Sequence, residues 1–300
     1  MEYFLELSSS GLVRGSIYVL IALGYTMVYG IIQLINFAHG EIYMIGAFVA
    51  LIVSGVLTIY GFSGVSILIL AALIAAIYAA AYGYTLEKIA YRPLRNAPRL
   101  SPLISAIGMS LFLQNYVLLA QTPDFLPFPA LIPDFDFMEP IAHIMGSPEL
   151  VILVTSAVSM VALTVLIKYT RIGKAMRATQ QDMTMARLVG VNVDNVISMT
   201  FIIGSVLAAI GGVLVGSYIG QINFYIGFMA GVKAFTAAVL GGIGNIPGAV
   251  LGAMVLGLTE AYAAGYISSA YEDVFAFGAL VLILILRPSG LLGKAVKLKV

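Results

Sequence analysis

Residues 65–95 read VSILILAALIAAIYAAAYGYTLEKIAYRPLR. From Val65 to Thr85 no side chain is charged, and then Glu87, Lys88, Arg92 and Arg95 follow, with Arg99 just beyond. About 20 apolar residues in a helix cross the roughly 30 Å of bilayer hydrocarbon, where each backbone amide must find its partner within the helix. Such a run ending in a basic cluster reads as a membrane span that hands the chain to a positively charged loop.

The pattern extends in both directions. Further candidate spans are Gly11 to Tyr29, Ile35 to Tyr60, Pro102 to Gln121, Leu150 to Lys168, Val196 to Tyr218, Phe224 to Leu240, Pro247 to Tyr266 and Val274 to Leu286. The chain of 300 residues is 61% hydrophobic and 10% charged, with a mean hydropathy of +1.04, far from the roughly 25% charged of soluble domains. The expected fold is all-α: a polytopic helical bundle of eight or nine transmembrane segments, forming one membrane domain over residues 1–300. The number is left at eight or nine because the second span and the pair from Phe224 to Tyr266 are rich in Gly, so that one of them is expected to be broken or re-entrant. The start, MEYFLELSSS, has Glu2 and Glu6 where a cleavable leader would be basic, so it is read as the approach to the first span.

Charge sets the expected orientation. All Lys and Arg except Arg14 and Lys233 lie at 88–99, 168–187 or 287–299, which places those segments and the C-terminus in the cytoplasm by the positive-inside rule. Thr122 to Glu149 has Asp124, Asp134, Asp136, Glu139 and Glu149 without a single Lys or Arg, and belongs outside. Nine spans put the N-terminus outside as well. The external loop, about 122–148, contains Pro123, Pro127, Pro129, Pro133, Pro140 and Pro148 among Phe125, Phe128, Phe135 and Phe137; it reads as an ordered surface loop or as a docking surface for an extracytoplasmic partner.

Several classes of function find no support. The chain has no cysteine and two histidines, a poor basis for a metal site. It has no Walker A, GxSxG or HExxH pattern, so neither ATP binding nor catalysis by this chain is expected, and no cofactor. A net charge of +1 points to no nucleic-acid partner.

Three polar stretches stand out. In the loop of about 168–195, Thr179-x-x-Asp182 resembles a capping box, Gly190 a helix stop, and Met185, Leu188 and Val189 fall on one face. That describes a short amphipathic helix, either resting on membrane lipid or docked in a partner's groove. The stretch from Gly227 to Glu260 places Gly241, Gly242, Gly244 and Gly248 around Asn245 and Pro247, which mark either a tight turn or a helix break of the kind transporters use near the bilayer midplane. Lys233 within it needs water or a carboxylate, with Glu41 or Glu260 as candidates. Finally, INFAHGEIYMIGAF, Ile35 to Phe48, brings Asn36, His39 and Glu41 into an apolar span, where they either cap a helix end at a break or line a path.

At these same residues the chain resembles a known family. GYTMVYGIIQLINFAHGEIYMIGAF, EKIAYRPLR, LISAIGMSLFLQNY, the loop from Gly173 to Val193 and GFMAGVKAFTAAVLGGIGNIPGA are similar to the permease subunit of bacterial high-affinity branched-chain amino acid ABC transporters, the LivH type. The resemblance covers nearly the whole chain. It implies ABC importer permease architecture in the bacterial inner membrane and a complex of two similar permeases, two ATPase subunits that hold ATP and Mg, and a periplasmic solute-binding protein. The implied substrates are leucine, isoleucine and valine, with urea or short amides as the alternative within the family. The ATPase contact is then expected at Gly173, Arg177, Asp182, Met185, Leu188, Val189 and Gly190, and the translocation path or helix break at Asn36, His39, Glu41, Lys233, Gly241, Gly242, Gly244 and Asn245. A proton-coupled secondary transporter, suggested by His39, Glu41, Lys233 and Glu260, is the rival class; a membrane enzyme or scaffold has no motif in its favour.

Overall fold

A computed structural model describes residues 2–95, 97–98, 100–135 and 144–293. Arg99, Asp136, Phe137, Glu139, Pro140, Lys294, Lys297 and Lys299 lie outside the described residues. Helices occupy all nine expected places: α1 (Glu2–Ile32), α2 (His39–Ile59), α3 (Val65–Leu86), α4 (Leu100–Ala120), α5 (Ser147–Tyr169), α8 (Val193–Ile219), α9 (Ile226–Gly241), α10 (Ile246–Tyr266) and α11 (Glu272–Leu286). Two short helices, α6 (Arg171–Gln181) and α7 (Met183–Leu188), fill the interior polar loop. Eight of the helical runs are long and apolar enough to cross a membrane, while α9, at 16 residues, is shorter. The only β-structure among the described residues is an antiparallel pair of two-residue strands, β1 (Leu126–Pro127) and β2 (Gln221–Ile222).

Local chemistry sets the helix ends. Pro148 and Pro247 sit in the first turns of α5 and α10, where their missing N–H costs nothing. The Asn192 side chain caps α8, and Gly220 stops it in a left-handed conformation at φ 76°. After α3 the helix loosens into a π turn over Glu87–Tyr91 and a 3₁₀ turn over Arg92–Leu94.

Two expectations about caps are corrected. Thr179 is not the cap of a short helix; it is buried inside α6 with its hydroxyl donating to the Ala175 carbonyl, and Asp182 itself caps α7 by accepting from the Thr184 and Met185 amides. Nor do Asn36, His39 or Glu41 cap α2 with their side chains: its N-cap residue is Ala38, and residues 33–38 form a non-helical break closed by the His39 amide on the Asn36 carbonyl.

The core is formed by α1, α2, α8, α9 and α10. Of the most apolar 18-residue window in α1, 83% is buried, against 22% in α4 and 17% in α5, which lie at the periphery. Small residues permit the central crossings: a Cβ on Gly257 of α10 would lie 2.3 Å from the Gly15 amide nitrogen of α1. The bundle has two distinct ends, separated along the 27 residues of α8, or about 40 Å. At the basic end Arg95 and Arg187 meet Asp194 at the start of α8, and Lys168, Arg177 and Gly293 share a cavity. At the acidic end the segment from Asp124 is pinned to the far end of α8 through β1–β2, the Phe128 amide on the Gly220 carbonyl and the Leu131 amide on Ser217. Among its described residues this segment is non-helical, with Phe128, Leu131 and Ile132 buried and Phe125 exposed.

Candidate functional site

The residues expected at the ATPase contact form one compact unit at the basic end. Thr170 caps α6 by accepting the Gly173 amide, and α6 folds back so tightly that a Cβ on Gly173 would lie 2.2 Å from the Leu166 carbonyl oxygen. Arg177 then donates to the Ile167 and Lys168 carbonyls, satisfying the last turn of α5. After the Asp182 cap, α7 buries Ala186 and packs Met183 against the core. It leaves Met185, Leu188 and Val189 at 60%, 76% and 77% exposure. Gly190 has φ 86°, and the Val191 amide closes the stop on the Ala186 carbonyl. A six-residue helix with both ends fixed thus holds three apolar side chains outward.

Gly242 and Gly244 have φ of 104° and 89°, so the chain turns sharply where a tight turn or a helix break was expected. Of the two readings, the tight turn is the one found: these residues form the hairpin between α9 and α10 at the basic end of the bundle. The segment after α11 ties it down, through the Leu291 amide on the Leu240 carbonyl, the Leu292 amide on the Gly241 carbonyl and Asn245 Nδ2 on the Leu292 carbonyl at 2.8 Å. A cavity of about 510 Å³ brings this turn and the folded loop together, with Gly30, Gln33, Lys168, Arg177, Gly244 and Asn245 in its wall.

The break that does lie within the bundle is the one at 33–38. Gln33 adopts φ 53°, unusual for a residue with a side chain. Asn36, His39 and Glu41 are all buried, and they diverge. Asn36 Oδ1 accepts the Tyr91 hydroxyl at 2.9 Å. His39 packs against Tyr25 and against the glycine surfaces of Gly24 and Gly204, leaving Nε2 without a hydrogen bond. Glu41 Oε1 accepts the Ser110 hydroxyl of α4 at 2.9 Å. The helix crossing here is very close: a Cβ on Gly40 would lie 2.3 Å from the Gly227 carbonyl oxygen of α9.

Lys233 does not reach Glu41. Its Nζ lies 2.7 Å from Asp273, 3.2 Å from Glu260 and 3.5 Å from Glu272, so of the two expected partners Glu260 is the right one. Tyr18 donates to Glu260 at 2.6 Å and Arg14 to Glu272 at 2.8 Å. Sequence reading reached Glu260 and missed Glu272 and Asp273, and it missed a second cluster at the basic end: buried Glu87 between Arg92 and Arg95, with Ser198 and Asp194 attached. No α-helical signal marked the second, since Arg92 and Arg95 follow Glu87 by five and eight residues and not by three or four; the π turn over Glu87–Tyr91 and the 3₁₀ turn after it bring them together. No signal in the sequence pairs Lys233 with residues about 40 positions away.

Comparison with known proteins agrees with this architecture. The family model described as branched-chain amino acid transport system / permease component matches residues 7–284. The high-affinity branched-chain amino acid transport system permease protein LivH of Escherichia coli (strain K12) is 48% identical over 97% of this chain and 96% of its own length. LivH of Salmonella typhimurium and BraD of Pseudomonas aeruginosa are each 49% identical with the same coverage. This chain is an integral membrane protein, and it belongs to the family of permease components of branched-chain amino acid transport systems.

Proposed function

We propose that this chain is a membrane permease subunit of an ATP-driven importer in the inner membrane, forming with a second permease subunit the path for leucine, isoleucine and valine. The observation that carries the substrate class is the similarity of nearly half of all positions, end to end, to permeases of that transport. In this reading ATP and Mg belong to two separate ATPase subunits, a solute-binding protein delivers the amino acid at the acidic end, and the basic end with the C-terminus faces the cytoplasm. The outward apolar face of α7 supports an ATPase contact there, because a rigidly capped helix with Met185, Leu188 and Val189 exposed suits insertion into a groove. Asn36, His39, Glu41 and the region around Lys233 are assigned to the path or its packing. The test is uptake by the reconstituted complex across leucine, isoleucine, valine, urea and small amides, with and without ATP. Leucine uptake that needs ATP and survives collapse of the proton gradient is expected. Uptake abolished by an uncoupler at constant ATP would instead favour a proton-coupled carrier.

A further inference from the structure

Among the described residues three carboxylates are fully buried: Glu41, Glu87 and Glu260. Glu87 is matched by Arg92 and Arg95, and Glu260 by Lys233. Glu41 is the exception, with no cation at ion-pair distance among the described residues. Its Oε1 accepts the Ser110 hydroxyl, while Oε2 has no partner and lies over the first turn of α9, so close that a Cβ on Gly227 would stand 2.6 Å from it. The positive end of α9 favours a negative charge at that point without satisfying the oxygen. A buried, half-satisfied carboxylate is costly to keep unless its cation arrives with something else.

The surroundings suit such an arrival. Ser110 forms part of the wall of a cavity of about 60 Å³, together with Tyr25, Phe37, Ile107 and Phe228. That volume suits an ammonium head or a water or two, and is too small for a branched side chain. One turn along α4, buried Gln114 also has an unpartnered Nε2. The helix that bears both polar residues is lightly held, with 22% of its apolar window buried. We propose that Glu41 receives the ammonium group of the amino acid in transit, with Ser110 positioning the carboxylate. The aromatic and aliphatic wall receives the side chain when α4 yields. Asn36 and His39, which point away from this cavity toward Tyr91 and Gly24, take no part in recognition.

This inference rests on the amino-acid reading above, and the two are separated by one experiment. Leucine uptake by the reconstituted complex with ATP and saturating binding protein is measured for wild type, Glu41→Gln, Glu41→Asp and Ser110→Ala. Wild-type uptake decides the amino-acid reading; if none occurs, both proposals fall. Given that uptake, Glu41→Gln is expected to lower the maximal rate by about tenfold or more, the scale of a lost charge-assisted hydrogen bond. The half-saturating concentration of binding protein, read from a separate titration, stays the same, because Glu41 lies within the bundle and delivery takes place at its acidic end. Glu41→Asp recovers part of the rate, and Ser110→Ala loses at most about threefold, the worth of a neutral hydrogen bond. Wild-type rates in Glu41→Gln overturn the proposal. So do equal losses in Glu41→Gln and Ser110→Ala, or a Glu41→Gln complex that fails to assemble, since each makes Glu41 a structural residue of the α2–α4 contact.

Discussion

Two buried ion clusters of the bundle have opposite designs. At the basic end a buried carboxylate, Glu87, sits between Arg92 and Arg95, with Ser198 donating to it at 2.8 Å and Arg95 also reaching Asp194. In the second cluster, about two turns along α9 from its hairpin with α10, a buried ammonium, Lys233, sits among Glu260, Glu272 and Asp273; it approaches Glu260 and Asp273 at ion-pair distance without hydrogen-bond alignment. The difference that matters is what remains when the centre is removed. Around Glu87 the partners are long cations, and Arg92 is already 34% exposed, so they can turn toward water or lipid headgroups. Around Lys233 one partner, Glu260, is fully buried on a short stem and can go nowhere. The cost of breaking a buried pair depends on whether the survivor can be solvated.

The largest effect is therefore expected for Lys233→Ala. It leaves Glu260 with only the Tyr18 hydroxyl, and destabilisation of about 3–5 kcal/mol is expected, read as lost yield and a lowered midpoint of thermal unfolding in detergent. The comparison sharpens if Lys233→Met is combined with Glu260→Gln, which removes both charges and keeps the volumes. Most of the loss should then return, and a double variant as unstable as Lys233→Ala would show that packing, not charge, governs this cluster.

Glu87→Ala should cost less, about 1–3 kcal/mol, because it removes charge-assisted hydrogen bonds while its arginines re-solvate. Measured alongside Lys233→Ala, the order of the two midpoints tests the asymmetry directly. A larger loss for Glu87→Ala would invert it.

These clusters also mark where the sequence stops being legible. Spans are readable because lipid imposes one rule on every helix, and Val65 to Thr85 obeys it within a residue of α3. The sharp turn at Gly242 to Asn245 and the stop at Gly190 are readable because few residues other than Gly tolerate those backbones. Of the partners of Lys233, Glu260 is readable only as one of two candidates, and Glu272 and Asp273 are not readable at all, since they become neighbours only through the packing of α9, α10 and α11. The same reason explains why, of the two readings of Asn36, His39 and Glu41, capping fails. Short polar side chains near a break suggest local hydrogen bonds, whereas these three turn to Tyr91, α1 and Ser110 on other elements. For Thr179 the capping-box pattern misleads, because α6 continues through it to Gln181 and Asp182 takes the cap of α7 instead.

The smallest changes in stability, and the most selective functional ones, are expected on α7 at the basic end. Gly190→Val forces a β-branched residue to φ 86°, with nothing within 4 Å of the added Cβ, so strain of about 1–2 kcal/mol is its whole cost. Leu188→Asp changes a side chain that is 76% exposed and should leave the isolated permease within about 0.5 kcal/mol of wild type. In the assembled complex the same carboxylate would meet an apolar groove with no cation to receive it, a penalty of a few kcal/mol even after relaxation, enough to release the ATPase subunits or uncouple their turnover from uptake. Met183→Asp provides the contrast one turn away, because Met183 packs against the core and its replacement should destabilise the permease itself. The decisive comparison is subunit retention, ATPase rate and uptake for the three variants beside their unfolding midpoints. A Leu188→Asp complex that keeps its ATPase subunits and its uptake would place the coupling contact elsewhere at the basic end, and the turn from Lys88 to Arg95, held on Asp194 within reach of Arg187, is the next segment to alter.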